Sequence, residues 1–186
     1  MFVKKNITII LMYKLINIPN ILSASRLLFC YIIYALVDNF QNYKNLIFIN
    51  YLMMCYTDYL DGYVAKNLNS QTTFGKFFDG FIDYLCTTFL FIIFYYKNLI
   101  SNYNFLFLII IIIRDSIRNY RRIKDLINNT VKEKSISASN IGKISRVIQN
   151  IYLLIVILFP NKYDNIKNIF TYLSTSTSLI SFINYL

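Results

Sequence analysis

The sequence contains no histidine, which removes Ser-His triads, imidazole general bases and histidine-ligated zinc from consideration. Acid–base chemistry is left to carboxylate, lysine or tyrosine. Cysteine offers little more. Cys30, Cys55 and Cys86 are odd in number, far apart and each set in an apolar run, so no disulfide framework or paired-cysteine metal site follows. They read as small core residues. Charge is scarce too: 15% of the 186 residues are charged against 56% hydrophobic, a chain of single-domain size but too apolar for an ordinary soluble fold. Acids are scarcest, nine against nineteen Lys and Arg, for a net charge of +10. The basic residues gather between hydrophobic runs, which fits anionic lipid and phosphate and argues against a nucleic-acid partner.

Residues 1–16 carry Lys4, Lys5 and Lys14 around a short apolar run. No small-residue cleavage site follows and Lys14 interrupts the run, so an interfacial anchoring helix is expected rather than a signal peptide; an organelle transit peptide would carry Arg and Ser. Asn17-Ile-Pro19-Asn20 then marks a helix start, followed by Arg26 inside an apolar run reaching about residue 37. Arg26 is costly facing lipid, so it is expected to face protein or phosphate. Further apolar runs at about 42–57, 77–96, 99–113, 147–160 and 166–186 predict an all-α polytopic membrane protein with about six transmembrane helices, residues 17–186 forming one membrane domain. Six spans place the N-terminus and the 2/3 and 4/5 connections on one side. Only Lys44, Lys97, Lys162 and Lys167 of the nineteen basic residues fall opposite, leaving fifteen on the first side and marking it as cytoplasmic or its organellar equivalent.

Four of the nine acids lie between Asp58 and Asp83. Asp58 and Asp61 are three apart, Asp79 and Asp83 four apart, so each pair projects from one helix face. Two such helices, antiparallel across a turn near residues 67–74, would bring all four acids to one point. Carboxylates that close repel unless something positive sits among them. Two divalent cations would match their charge, so the acids read as a hard-cation oxygen site.

A second charged cluster follows the five isoleucines that end at Ile113. Arg114, Arg118, Arg121 and Arg122 fall at i, i+4, i+7 and i+8, which predicts a shared helix face. Such a face suits a pocket for a phosphate-bearing acceptor; it equally suits a positive loop touching anionic lipid.

The acid stretch reads Asp58-x2-Asp61-Gly62-x2-Ala65-Lys66-x8-Gly75-x3-Asp79-x3-Asp83. It resembles the signature of the CDP-alcohol phosphatidyltransferase family, with Lys66 where the family usually carries arginine. The Asn17–Arg26 segment, Arg114-Asp115 with Arg122, and Ser139-Asn-Ile-Gly142-Lys143-x5-Gln149 resemble the phosphatidylglycerophosphate synthase branch, with Asp115 replacing a glutamate and Ser145 a second lysine. The resemblance implies an enzyme that displaces CMP from CDP-diacylglycerol with glycerol 3-phosphate. It implies Asp58, Asp61, Asp79 and Asp83 as ligands of two Mg²⁺ or Mn²⁺ ions, with Asp83 also the catalytic general base. Asp58, Gly62, Ala65 and Lys66 would bind the CDP moiety, Gly62 and Ala65 because small side chains let a nucleotide approach the helix, and Arg114, Arg122 and Lys143 the acceptor phosphate. It further implies a homodimer in a bacterial cytoplasmic or organellar inner membrane. Two other readings stand beside it: a sister enzyme such as a cardiolipin or phosphatidylinositol phosphate synthase, and a divalent-cation transporter, against which Gly62, Ala65 and acids near a membrane face count.

Overall fold

Asn17 caps the first helix: its side chain accepts from the Asn20 amide at 3.0 Å and Pro19 lies in the first turn, where its fixed φ costs nothing. Helix α1 (Ile18–Leu36) ends in a single 3-10 turn, Val37–Asn39, that reverses the chain into α2 (Phe40–Asn67). Thr72 caps α3 (Thr73–Tyr96) by accepting from the Gly75 amide at 2.9 Å. The remaining helices are α4 (Asn102–Ile127), α5 (Asn140–Leu158) and α6 (Asp164–Ile183). This computed structural model describes residues 17–68, 72–128, 140–160 and 162–183, and no strand occurs among them. The expected interfacial helix over residues 1–16 lies outside the described residues.

The six helices among the described residues pack as a closed ring. α1 sits between α2 and α3, α2 packs on α5, α5 on α6, α6 on α4, and α4 returns to α3. α1 and α2 run antiparallel, so Cys30 meets Met54 at 3.5 Å one turn above the level where Arg26 meets Asp58. Ile33, Tyr51, Leu90, Phe94, Tyr152 and Val156 fill the middle of the ring. Tyr51 ties α2 to α5 through its hydroxyl, which donates to the Asn150 carbonyl at 3.2 Å. Tyr84 and Ser116 join α3 to α4 at 2.7 Å, and Ser145 donates to the Ser174 carbonyl of α6 at 3.3 Å.

The distribution of polarity is inverted relative to a water-soluble fold. Leu28, Ile49, Ile92, Ile113, Leu173 and Ile180 face outward, while Arg26, Asp61, Arg114, Arg118, Gln149 and Ser178 are buried. An apolar exterior around a polar interior is what lipid as solvent selects, and the chain is an integral membrane protein. By length and composition alone, Ile18–Asn67, Thr73–Tyr96 and Asn140–Leu158 are apolar enough to cross a membrane. α4 falls short because it turns basic at Arg114, and α6 because Ser and Thr dilute its apolar residues.

Depth follows from helical rise. α4 runs twelve residues from Asn102 to Ile113 before its first arginine, about 18 Å. α3 runs from Asp83 to Tyr96, about 21 Å, and α2 from Phe40 to Thr57, about 27 Å. Against a hydrocarbon core of about 30 Å, acids and arginines lie at or just inside one face. The helices also outrun the apolar runs there: α2 continues past residue 57 to Asn67 and α4 past residue 113 to Ile127. The bundle thus holds a polar end rigidly on helical backbone.

Packing of the ring interior sets stability, since dense contacts are lost when a buried side chain is cut back. Leu90→Ala, at a fully buried position, is expected to lower the thermal midpoint in detergent by several degrees. Ile92→Ala, two residues along the same helix and outward-facing, is expected to leave it nearly unchanged; equal effects would contradict this assignment of the core.

Candidate functional site

The polar end of the bundle encloses a cavity of about 540 Å³. Its floor is the four acids. Asp58 and Asp61 come from α2 and Asp79 and Asp83 from α3, brought to one point as the spacing suggested, and α1 packs against both helices. From α1, Arg26 reaches all four carboxylates. Its Nη1 donates to Asp58 Oδ1 at 2.6 Å and to Asp83 Oδ1; its Nη2 donates to Asp61 Oδ2 at 2.7 Å and to Asp79 Oδ1. The expectation that Arg26 faces protein or phosphate resolves as protein, and specifically as carboxylate.

The acids differ in surroundings. Asp61 is the most enclosed, its side chain 6% exposed, and also accepts from Ser23 Oγ at 2.7 Å. Asp58 and Asp79 are each 39% exposed on the cavity side. Asp83 has a second cationic partner, Arg146 Nη1 of α5, at 2.9 Å from its Oδ2. Asp58, Asp61 and Asp79 each present an oxygen within 4.8 Å of the others. A donor set of carboxylate oxygens at this spacing fits a hard divalent cation.

The walls carry the rest of the chemistry. Gly62 and Ala65 line the cavity beside Lys66. A Cβ on Gly62 would meet nothing within 4 Å, so its smallness keeps space open to the cavity and serves no helix contact. Gly75 is helical. It lies in the first turn of α3, where a Cβ would come within 3.0 Å of Thr72 Oγ1 and 3.1 Å of Asn20 Oδ1, so its smallness lets the starts of α1 and α3 approach.

On the opposite wall, Arg122 and Lys143 line the cavity as the motifs suggested, but Arg114 is not among the lining residues. Arg114 is buried and bonds Asp115, its chain neighbour; Arg118 also bonds Asp115, at 3.1 Å, and does reach the wall. Arg121 departs from the shared face and is exposed, because it sits about 100° from Arg122 around the helix. Arg114, Arg118 and Arg122, two successive i+4 steps, keep the buried stripe.

Several residues here were not singled out from sequence. Arg146 is one turn past Gly142 and Lys143, on the same face of α5. Gly80, between Asp79 and Asp83, faces Arg122 Nη1 so closely that a Cβ would stand 3.0 Å from it, and any side chain there would displace that arginine. Lys76 lines the wall as well. Ser145 and Gln149 face away: Gln149 donates to Ser145 Oγ at 3.2 Å in the α5–α6 seam. Altogether six lining cations, Lys66, Lys76, Arg118, Arg122, Lys143 and Arg146, surround four lining acids. Carboxylate oxygens at the floor suit a hard cation, and the positive side chains along the walls suit phosphate.

A family model described as CDP-alcohol phosphatidyltransferase matches residues 16–180. Among curated proteins, the chain is 36% identical over 73 residues to a CDP-diacylglycerol--glycerol-3-phosphate 3-phosphatidyltransferase of Aquifex aeolicus (strain VF5), covering 39% of this chain and 40% of that protein. It is 36% identical over 70 residues to a protein of the same description from Rickettsia felis (strain ATCC VR-1525 / URRWXCal2), covering 37% and 39%. The chain spans about two fifths of the length of the curated relatives it matches.

Asp61→Asn keeps the shape of the most enclosed acid and removes its charge. It is expected to weaken Mn²⁺ binding, followed by calorimetry in detergent, by about tenfold or more while helical circular dichroism stays unchanged, since amide oxygen is a much poorer ligand than carboxylate. Unchanged affinity would remove Asp61 from the cation site.

Proposed function

The chain belongs to the CDP-alcohol phosphatidyltransferase family, and we propose that it transfers a phosphatidyl group from CDP-diacylglycerol to glycerol 3-phosphate, giving phosphatidylglycerol phosphate and CMP in phospholipid biosynthesis. The observation that carries this reading is the meeting, in one cavity, of the four motif acids with Arg118, Arg122 and Lys143. The acids suit a metal-bound diphosphate; the cations suit a second, separate phosphate.

In this reading Asp58, Asp61, Asp79 and Asp83 hold two Mg²⁺ or Mn²⁺ ions, which when bound neutralise the diphosphate and the departing CMP. Gly62 and Ala65 leave the α2 wall low for the nucleotide, and Lys66 supplies a point charge to the diphosphate where arginine would give a fork. Arg122 and Lys143 grip the acceptor phosphate, joined by Arg118. Arg114 contributes by holding Asp115, the carboxylate that also orients Arg118. Asp83 takes the proton from the acceptor hydroxyl as its oxygen attacks the phosphatidyl phosphorus, and the bond from that phosphorus to the bridging oxygen breaks, with the electron pair leaving on CMP. Arg146, 2.9 Å from Asp83 Oδ2, fixes the orientation of that carboxylate. Residues 17–186 carry the activity as one membrane domain, and the protein works as a homodimer. The bias of Lys and Arg toward the connections on one side of the predicted spans supports a site facing the cytoplasm, matrix or stroma.

A sister enzyme acting on an unphosphorylated alcohol such as serine leaves Arg118, Arg122 and Lys143 without a purpose. A cation transporter leaves Gly62 and the phosphate-seeking wall without one. Purified protein given CDP-diacylglycerol, Mg²⁺ and single acceptors is expected to release CMP with glycerol 3-phosphate; release with inositol phosphate or phosphatidylglycerol alone would reassign the acceptor, and metal flux without release would favour transport. Asp79→Asn is expected to abolish release in a folded protein. Arg122→Ala is expected to raise KM for glycerol 3-phosphate by about tenfold or more, with a smaller change for CDP-diacylglycerol; the reverse pattern would move Arg122 to the nucleotide side.

A further inference from the structure

Arg26 is 1% exposed and sits where four acids converge. A guanidinium has five N–H donors, and here every donor has a destination. Nη1 serves Asp58 and Asp83, Nη2 serves Asp61 and Asp79, and Nε donates to the Ser23 carbonyl at 3.3 Å. The side chain is therefore saturated by the cage, and the cage is centred on it. Snorkelling to an interface, the usual fate of arginine in a membrane helix, is not what it does.

Charge and space both bear on what a metal would meet. One guanidinium answers four carboxylates, and Arg146 adds one more cation at Asp83; two negative charges stay unmatched within the cage. That deficit draws in divalent cations. Yet a Mg²⁺, Mn²⁺ or similar ion needs carboxylate oxygens about 2.0 to 2.6 Å away, and the oxygens of Asp58 and Asp61 already have guanidinium nitrogens at 2.6 and 2.7 Å. The four oxygens that converge on the guanidinium, Asp58 Oδ1, Asp61 Oδ2, Asp79 Oδ1 and Asp83 Oδ1, enclose one centre, and an ion held at that centre would stand where the guanidinium stands.

We propose that Arg26 is the resident counter-ion of the acid cage and that its seating and divalent metal binding are mutually exclusive, so that metal enters by displacing the guanidinium. The inference rests on reading the acids as metal ligands. It explains how a chain with four acids buried inside a membrane bundle is held together before metal arrives. It also makes apparent metal affinity a competition: metal binds the fraction of molecules whose cage is vacated, so the affinity is reduced by that fraction. And it frees a cation at the moment metal binds, next to Asn20 and Ser23 on the wall of the cavity that receives anionic substrate.

The test is Mn²⁺ binding to detergent-purified parent protein, Arg26→Gln and Arg26→Lys, by calorimetry, together with thermal midpoints with and without Mn²⁺. Arg26→Gln is expected to bind Mn²⁺ about tenfold or more tightly than the parent, as removal of a competing state requires. Its metal-free midpoint is expected to fall and to recover on Mn²⁺ addition by more than the parent gains. Arg26→Lys, which keeps the charge but has three donors for five acceptors, is expected to fall between. Affinity unchanged or weaker in Arg26→Gln overturns the inference, because Arg26 then builds the site instead of competing for it. A second measurement needs no variant: phenylglyoxal modification of Arg26 in the parent, read by mass spectrometry, is expected to rise when Mn²⁺ saturates the protein. Mn²⁺ binding with Arg26 equally or less reactive overturns the inference while leaving the metal site standing. Absence of Mn²⁺ binding in both parent and Arg26→Gln overturns the metal reading and this inference together.

Discussion

Everything at the polar end of this bundle depends on how four carboxylates are kept near one another in a region largely closed to water. Two unit charges 4 Å apart at an effective dielectric of about 20 repel by about 4 kcal/mol, and Asp58, Asp61 and Asp79 have oxygens within 4.8 Å of one another. Such a cluster disperses, takes up protons or acquires cations. In this protein the cation is Arg26, held on a third helix that lies between the two bearing the acids. The ion cluster is thus also a structural joint: α1, α2 and α3 meet through one guanidinium. Breaking a buried joint of this kind leaves uncompensated charge behind.

The ring arrangement serves that joint. Short reversals at Val37–Asn39 and near residues 97–101 place both ends of the first four helices at alternate faces. The four motif acids and the cavity arginines then fall at one face, while aromatic and aliphatic side chains from Ile33 to Val156 pack the other half of the ring. Lys97 bonds Asp38 across the far face, a surface contact of modest energetic weight that nonetheless links the two reversals. Function and stability are divided along the helix axes: chemistry at the polar end, packing beyond it.

What was legible in the chain was local periodicity. Offsets of three and four placed Asp58 with Asp61 and Asp79 with Asp83, and the apolar runs fall on helices among the described residues. What was not legible was which helices become neighbours. Arg26 carries a polar requirement that any apolar run would impose, but only the packing of α1 between α2 and α3 decides that its partners are the motif acids. Arg114 shows the opposite failure. Its motif position marks it for phosphate, whereas Asp115 beside it takes its charge and Arg118, one turn on, reaches the cavity instead. Arg146 had a weaker signal, one turn from Gly142 on α5, and acquires meaning only because Asp83 stands across from it. The continuation of α2 and α4 beyond their apolar runs was legible too, from the helical offsets of the acids and arginines; charged side chains at this face turn inward to a cavity and need no lipid-compatible exterior.

The central claim is that the acid cage is a divalent-metal site at the floor of a lipid-substrate cavity. It is tested most directly by the anomalous diffraction signal of Mn²⁺ in crystals of the protein grown with that ion. The account predicts two anomalous peaks between the facing ends of α2 and α3, within coordination distance of Asp58, Asp61, Asp79 and Asp83. Peaks elsewhere in the molecule, with the four carboxylates still closed on Arg26, would contradict it.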